Sequence, residues 1–356
     1  MARLFIPGPT DVHPAVLAAQ NQPMIGHRGQ AFEELFARLQ PKLRQVFFTP
    51  GRVYVSTSSG TGLQEASVRN GVAHKVLCCV NGSFSQRWYE VAAANGKEAV
   101  RLDVEWGQAV KPALIDAALQ QGGFDAITIV HNETSTGVVS PIEDIATLLH
   151  DRYPDVTIMV DAVSSLGGDQ IDFAGWGLDV LLTSSQKCLA VPPGLSLAAV
   201  SDRALEKART IPARGLYFDF VDLEKYLVKN QTPSTPAISL MWALDCALDR
   251  ILAEGLEARF NRHAQLADRV RGWAQEKFDL FAEVGYRSQT VTCVRNTRAI
   301  EVKALNGFLT SKGLQISDGY GPLKGRTFRI AHMGEIQMAD VEEVLALIDE
   351  FVIHAA

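Results

Sequence analysis

The feature that most constrains this chain is a series of short apolar runs, each ending in a cluster of small and polar residues. Val53–Val55, Val76–Val80, Ala126–Val130, Thr157–Val160 and Val180–Thr183 are too short for buried helices and read as strands covered on both faces. Helical spacing lies between them. Leu35, Phe36, Leu39, Leu43, Val46 and Phe47 mark a helix over 33–48, and a second runs over 63–72 after a glycine-rich turn. Strands alternating with helices predict an α/β fold with a mainly parallel sheet. The pattern divides the chain into an N-terminal arm (1–15), a large unit (16–250) and a small α/β unit (251–356). The small unit carries predicted strands at 290–294 and 327–331 and helices at 299–312 and 338–354. The arm, with its Pro7-Gly8-Pro9, is too short to fold alone and is expected to pack on another part of the chain or another subunit.

Ligands of parallel α/β sheets bind at the carboxyl ends of the strands. Four polar loops fall there: 56–62, 131–137, 161–165 and 184–187. Lys187 ends the run Leu181-Leu182-Thr183-Ser184-Ser185-Gln186-Lys187. Partial burial there would lower its pKa and make it a nucleophile toward a carbonyl; a sheet-edge lysine with its head in water is the alternative. Asp161 ends another apolar strand, one strand-helix-strand unit earlier. A carboxylate in that position needs a partner, and a protonated pyridine nitrogen or a helix cap would serve.

Ser59-Gly60-Thr61-Gly62 opens a helix and can cradle a phosphate with its backbone N–H groups. It lacks the endings of a P-loop or a dinucleotide site, so it suits a monophosphate. Phe84 follows a strand and can stack on a flat ring or simply join the core. Thr134, in a turn rich in Asn, Ser and Gly, offers a hydroxyl. Arg329 lies inside an apolar strand, where a guanidinium wants a planar anion or an internal ion pair. Arg28 is a loop cation and His332 a packing residue.

Other chemistries are excluded more directly. A net charge of −6 without a basic run gives no nucleic-acid footprint. No apolar stretch reaches membrane-span length, and the start MARLFIPGPT lacks a signal-peptide core. Five cysteines without a C-x-x-C pair suggest reduced thiols in the cytoplasm. His13, His27 and His74 have no metal-ligand spacing, and no Gly-x-Ser-x-Gly elbow occurs.

Taken in order, Pro7-Gly8-Pro9-Thr10, Ser59 to Ala66, His131 to Gly137, Val160 to Gly168, Ser184 to Lys187, Pro192-Pro193-Gly194 and Phe328-Arg329-Ile330 resemble the class V aminotransferases of pyridoxal-phosphate (PLP) fold type I. The likeness is to the alanine–glyoxylate and serine–pyruvate group and spans nearly the whole chain. It implies a seven-stranded, mainly parallel sheet and a small C-terminal α/β domain. It also implies pyridoxal 5′-phosphate carried on Lys187, and a homodimer with shared active sites. By the same resemblance Asp161 pairs with the ring nitrogen. Ser59, Gly60, Thr61, Phe84, Thr134, Ser164 and Gln186 surround the cofactor, and Arg329 binds the substrate carboxylate. Phe84 stands where the family often has Trp. Gln231 and Ser234 are the expected contacts from the segment that reaches across the dimer. The implied reaction moves an amino group from alanine or serine to glyoxylate or pyruvate by a ping-pong mechanism. Three alternatives remain: aspartate as donor, a cysteine desulfurase-like lyase, and a non-catalytic subunit of a larger complex.

Overall fold

The computed structural model describes residues 2–355. A seven-stranded sheet runs in the order Arg52–Ser56, Ser196–Val200, Val180–Ser184, Thr157–Asp161, Ala126–Val130, Lys75–Val80, Glu98–Asp103. Only Ser196–Val200 is antiparallel to its neighbours. The expected strands are all present. Two more complete the sheet. Ser-Leu-Ala-Ala-Val holds two alanines, which are weak strand formers, and Glu98–Asp103 is a partly exposed edge with charged ends.

The helix predicted over 33–48 spans Gln30–Val46 and buries Phe32, Leu35, Phe36, Leu39, Leu43 and Val46 under the sheet. Each of these large side chains contributes roughly 1.5–3 kcal/mol by leaving water. The chain leaves Lys75–Val80 for Glu98–Asp103 on one side, then returns to place Ala126–Val130 on the other. That reversal opens a crevice at the carboxyl ends of the strands.

A second sheet of five strands runs Arg3–Phe5, Leu314–Asp318, Thr327–Ala331, Val291–Arg295, Asp279–Leu280. Arg3–Phe5 lies parallel to Leu314–Asp318, so the arm forms the edge of this sheet. Helices Leu256–Lys277, Val302–Ser311 and Met338–Ala355 supply Leu266, Val270, Leu305, Leu309, Val341 and Leu345 to its core. Arg259, only 1% exposed, stitches the two sheets together. It donates to Gly167 O (2.8 Å), Cys188 O (2.7 Å) and Gly334 O (3.2 Å) and pairs with Glu254 at 2.7 Å. Among the described residues no helix is long and apolar enough to cross a membrane.

Candidate active site

The crevice widens into a cavity of about 200 Å³ lined by Ser59, Gly60, Thr61, Phe84, Thr134, Asp161, Gln186 and Lys187. These eight were expected from the sequence; Gln64, Arg87, Val130, Asn132, Val163 and Ser184 complete the lining. Each of the eight lies at or just beyond the carboxyl end of a strand, so the sheet brings them together.

Lys187 extends from the loop after Val180–Ser184, and Asp161 ends the adjacent strand. The lysine lies against the arm. Its amine donates to Pro7 O, while Thr10 N donates to Gln186 O (3.1 Å) and Thr10 Oγ1 to Lys187 O (3.1 Å). Gly8 has φ +89°, and a Cβ there would fall 2.5 Å from Lys187 Cδ, so only glycine fits beneath the lysine. Burial, aided by the Arg329 charge, lowers the Lys187 pKa to about 8.

Asp161 is pushed the other way. Burial raises its pKa to about 6, although Val163 N (2.8 Å) and Gln64 Nε2 (2.7 Å) donate to its two oxygens. A buried acid in this state is improved by a cationic partner from outside the protein. Three buried polar atoms of cavity-lining residues, Gln64 Oε1, Asn132 Oδ1 and Ser184 Oγ, have no hydrogen-bond partner among the described residues. Such orphans point to a polar ligand. A Cβ at Gly60 would meet Val163 Cγ2 at 2.7 Å, which keeps the turn at the start of helix Gly60–Gly71 open to an anion.

Phe84 begins the helix Ser83–Ala94 and faces the cavity, with Tyr320 at 5.3 Å between ring centroids. Arg87, one turn later, also lines the cavity. Its guanidinium lies 5.2 Å from the Phe84 ring and its Nη1 reaches Thr61 Oγ1 at 3.5 Å. Arg329 approaches from the second sheet, donating to Asp318 O (3.1 Å) and Thr134 O (3.3 Å). Burial holds its pKa below the usual arginine value.

Several of the expected residues lie outside the cavity of a single chain. Ser164 does not line the cavity. It accepts from Thr134 Oγ1 (2.7 Å) and donates to Asn132 O (3.0 Å), so it orients Thr134 instead. Gln231 binds Glu33 (2.8 Å) and Ser234 lines a separate pocket with Val55, Tyr217 and Leu223. Neither reaches the cavity within one chain. Arg28 is also occupied elsewhere, by Thr232 O (2.5 Å) and Pro233 O (2.8 Å), with Tyr226 under it. His332 is a packing residue as expected: burial drives its pKa down to about 3 and Thr292 holds its Nε2 at 3.0 Å.

Gln64, Arg87, Asn132, Ser184 and the Pro7 carbonyl belong to the site without having been expected from the sequence. Arg87 carried a signal, because it lies one helical turn beyond Phe84 and shares its face. A backbone carbonyl carries none.

A buried lysine, a carboxylate on the adjacent strand end, an aromatic ring and an open helix start facing one cavity fit a fold type I PLP enzyme. The family profile described as Aminotransferase class-V matches residues 14–324, and the chain belongs to that family. It is 35% identical to a serine–glyoxylate aminotransferase of Hyphomicrobium methylovorum over 93% of this chain and 84% of that one. Among solved structures it resembles an alanine–glyoxylate aminotransferase of Nostoc sp., with a TM-score of 0.93 and 30% identity, over 99% and 95% of the two chains. It also resembles an aspartate aminotransferase of Thermus thermophilus, with a TM-score of 0.91 and 31% identity, over 99% of each chain. The protein is a class V aminotransferase that uses pyridoxal phosphate.

Proposed function

We propose that this aminotransferase takes its amino group from a small neutral donor, alanine or serine. A small 2-oxo acid, glyoxylate or pyruvate, accepts it in the second half of a ping-pong cycle. The observation that carries the reading is the pairing of Lys187 and Asp161 on adjacent strand ends across one cavity. Pyridoxal phosphate, when bound, supplies the electron sink that makes a Cα proton removable. The Asp161 carboxylate would keep the ring nitrogen protonated. The Lys187 amine, with its pKa lowered to about 8, can take a proton from Cα near neutral pH and return it at the other end. Arg329 would hold the α-carboxylate, and the Ser59–Thr61 turn with Gln186 would hold the phosphate.

With Arg28 tied to backbone carbonyls, the chain offers no free guanidinium there for a second carboxylate. This favours small neutral donors. One observation keeps aspartate as a second reading: Arg87 lines the cavity, and no carboxylate pairs with it among the described residues. A desulfurase is disfavoured, because no cysteine lines the cavity and burial pushes the Cys293 thiol up to about 11.

A homodimer with shared sites, a cytoplasmic location and the division into 1–15, 16–250 and 251–356 belong to the same proposal. Exposed Leu216 (85%) and Val228 (70%) precede the segment expected to cross between subunits, and all five cysteines are free thiols. The test is a set of single half-reactions of the loaded enzyme with serine, alanine and aspartate, followed by visible absorbance. Fastest conversion by serine or alanine supports the reading, and fastest conversion by aspartate overturns it. Turnover by the purified chain alone excludes a purely non-catalytic role.

A further inference from the structure

Glu133 is a fully buried carboxylate that the mechanism above does not use; it is 0% exposed. No Lys or Arg forms a salt bridge with it among the described residues. Instead it faces the start of helix Ser83–Ala94. Its Oε2 accepts from Phe84 N (3.1 Å), Ser85 N (2.9 Å) and Ser85 Oγ (2.9 Å). Its Oε1 accepts from Ser135 N (3.2 Å) and Ser135 Oγ (2.6 Å), and Ser135 Oγ in turn accepts from Ser83 N (3.1 Å).

The N-cap position of that helix is Gly82, which has no side chain to cap it. Glu133, about fifty positions away in the chain, does so instead and also meets the positive end of the helix dipole. The fit is tight, since a Cβ on Gly82 would fall 2.4 Å from Glu133 Cδ. The glycine is therefore required by the carboxylate, not by its own backbone angles. The helix carries two cavity-lining residues, Phe84 in its first turn and Arg87 one turn on. The residue after Glu133 is Thr134, whose carbonyl receives Arg329. One turn thus fixes the aromatic wall on one side and the carboxylate-binding arginine on the other.

We infer that Glu133 is a positioning residue for the ring-binding wall of the active site, acting through Phe84 by capping its helix. This rests on the reading of Phe84 as the plate against the cofactor ring. Both Glu133 oxygens face backbone N–H groups, so a glutamine amide must turn its NH2 toward one of them in either orientation. Glu133→Gln therefore releases the helix start while nearly conserving volume.

The test is a double-mutant cycle on the dissociation constant of pyridoxal phosphate from the apo-protein, measured by absorbance titration. The visible circular dichroism of the bound cofactor and the apo-protein melting temperature are recorded alongside. Glu133→Gln is expected to weaken binding about 10-fold and to reduce the induced dichroism. In a Phe84→Ala background the same change is expected to add less than about 2-fold, because residues acting through one another are not additive. Equal weakening in both backgrounds overturns the inference, as does a lowered melting temperature with unchanged binding. If Phe84→Ala alone leaves binding unchanged, the reading of Phe84 as the plate fails, and the inference fails with it. If Glu133→Gln does not fold, Ser135→Ala removes one donor to the same carboxylate and enters the same cycle, with a smaller loss expected.

Discussion

Lys187 and Arg259 are both cations set into the protein interior, and they meet at neighbouring positions of one loop. Arg259 donates to Cys188 O, the carbonyl next to Lys187. Yet their surroundings differ. Arg259 has two glutamates and three backbone carbonyls around its guanidinium. Lys187 has a single carbonyl, a nearby arginine charge and an open cavity. A fully satisfied buried charge serves as structure. An under-satisfied one is poised to lose its proton and serves as chemistry.

The sharpest way to break this comparison is Lys187→Met. Activity is expected to fall by about 10⁴-fold or more, because both the cofactor linkage and the proton carrier are lost. The melting temperature of the apo-protein should stay level or rise, since an under-satisfied charge is gone. A clear drop in that temperature, read by calorimetry, would mean that Lys187 is also structural.

Arg259→Met should do the reverse. It leaves the Gly167 and Cys188 carbonyls without their side-chain donor, while Arg262 still holds Glu254, at a cost of about 1–3 kcal/mol per orphaned carbonyl in denaturant unfolding. Turnover per folded molecule should change only a few-fold.

The third prediction concerns pH. The Lys187 pKa is lowered to about 8, so above that value the unfolded chain binds more protons than the folded one. Apo-protein stability should therefore rise between pH 8 and 10.5 by up to about 3 kcal/mol. Asp161 is raised to about 6, so the folded state binds more protons between pH 4 and 6. Stability should fall across that window by a similar amount. Lys187→Met should remove the upper slope and Asp161→Asn the lower one. Arg259 variants should leave both slopes in place.

The smallest expected effect is that of Gly8→Ala. Its φ of +89° and the contact with Lys187 predict a loss of about 1–2 kcal/mol and a displaced lysine. The upper pH slope should move with it, which would show that the arm sets the state of the amine. An unmoved slope would assign that state to the cavity alone.

The large sheet was legible because its strands are buried on both faces, which leaves continuous apolar runs such as Ala126–Val130. Strands that could not be read from the sequence include the alanine-rich Ser196–Val200, the charged edge Glu98–Asp103, the arm Arg3–Phe5 and, in the second sheet, Leu314–Asp318 and Asp279–Leu280. Their pairing comes from neighbours and not from their own composition.

The site divides along the same line. By itself the sequence determined that Lys187 and Asp161 would stand at strand ends near one another, because strand direction and side-chain type are local properties. It also pointed to Gly60 and Phe84, which line the same cavity, and to Arg329, which stands outside that lining on the Asp318 and Thr134 carbonyls. Only the tertiary structure decided how those groups are held. The Pro7 carbonyl lies under the lysine, Gln64 on the aspartate, Glu133 under the Phe84 helix, and Arg259 on the lysine loop. Each of these contacts joins residues far apart in the chain, and several run through backbone atoms common to every amino acid. Chain folding, and not residue identity, sets the burial that moves the Lys187 and Asp161 pKa values toward each other.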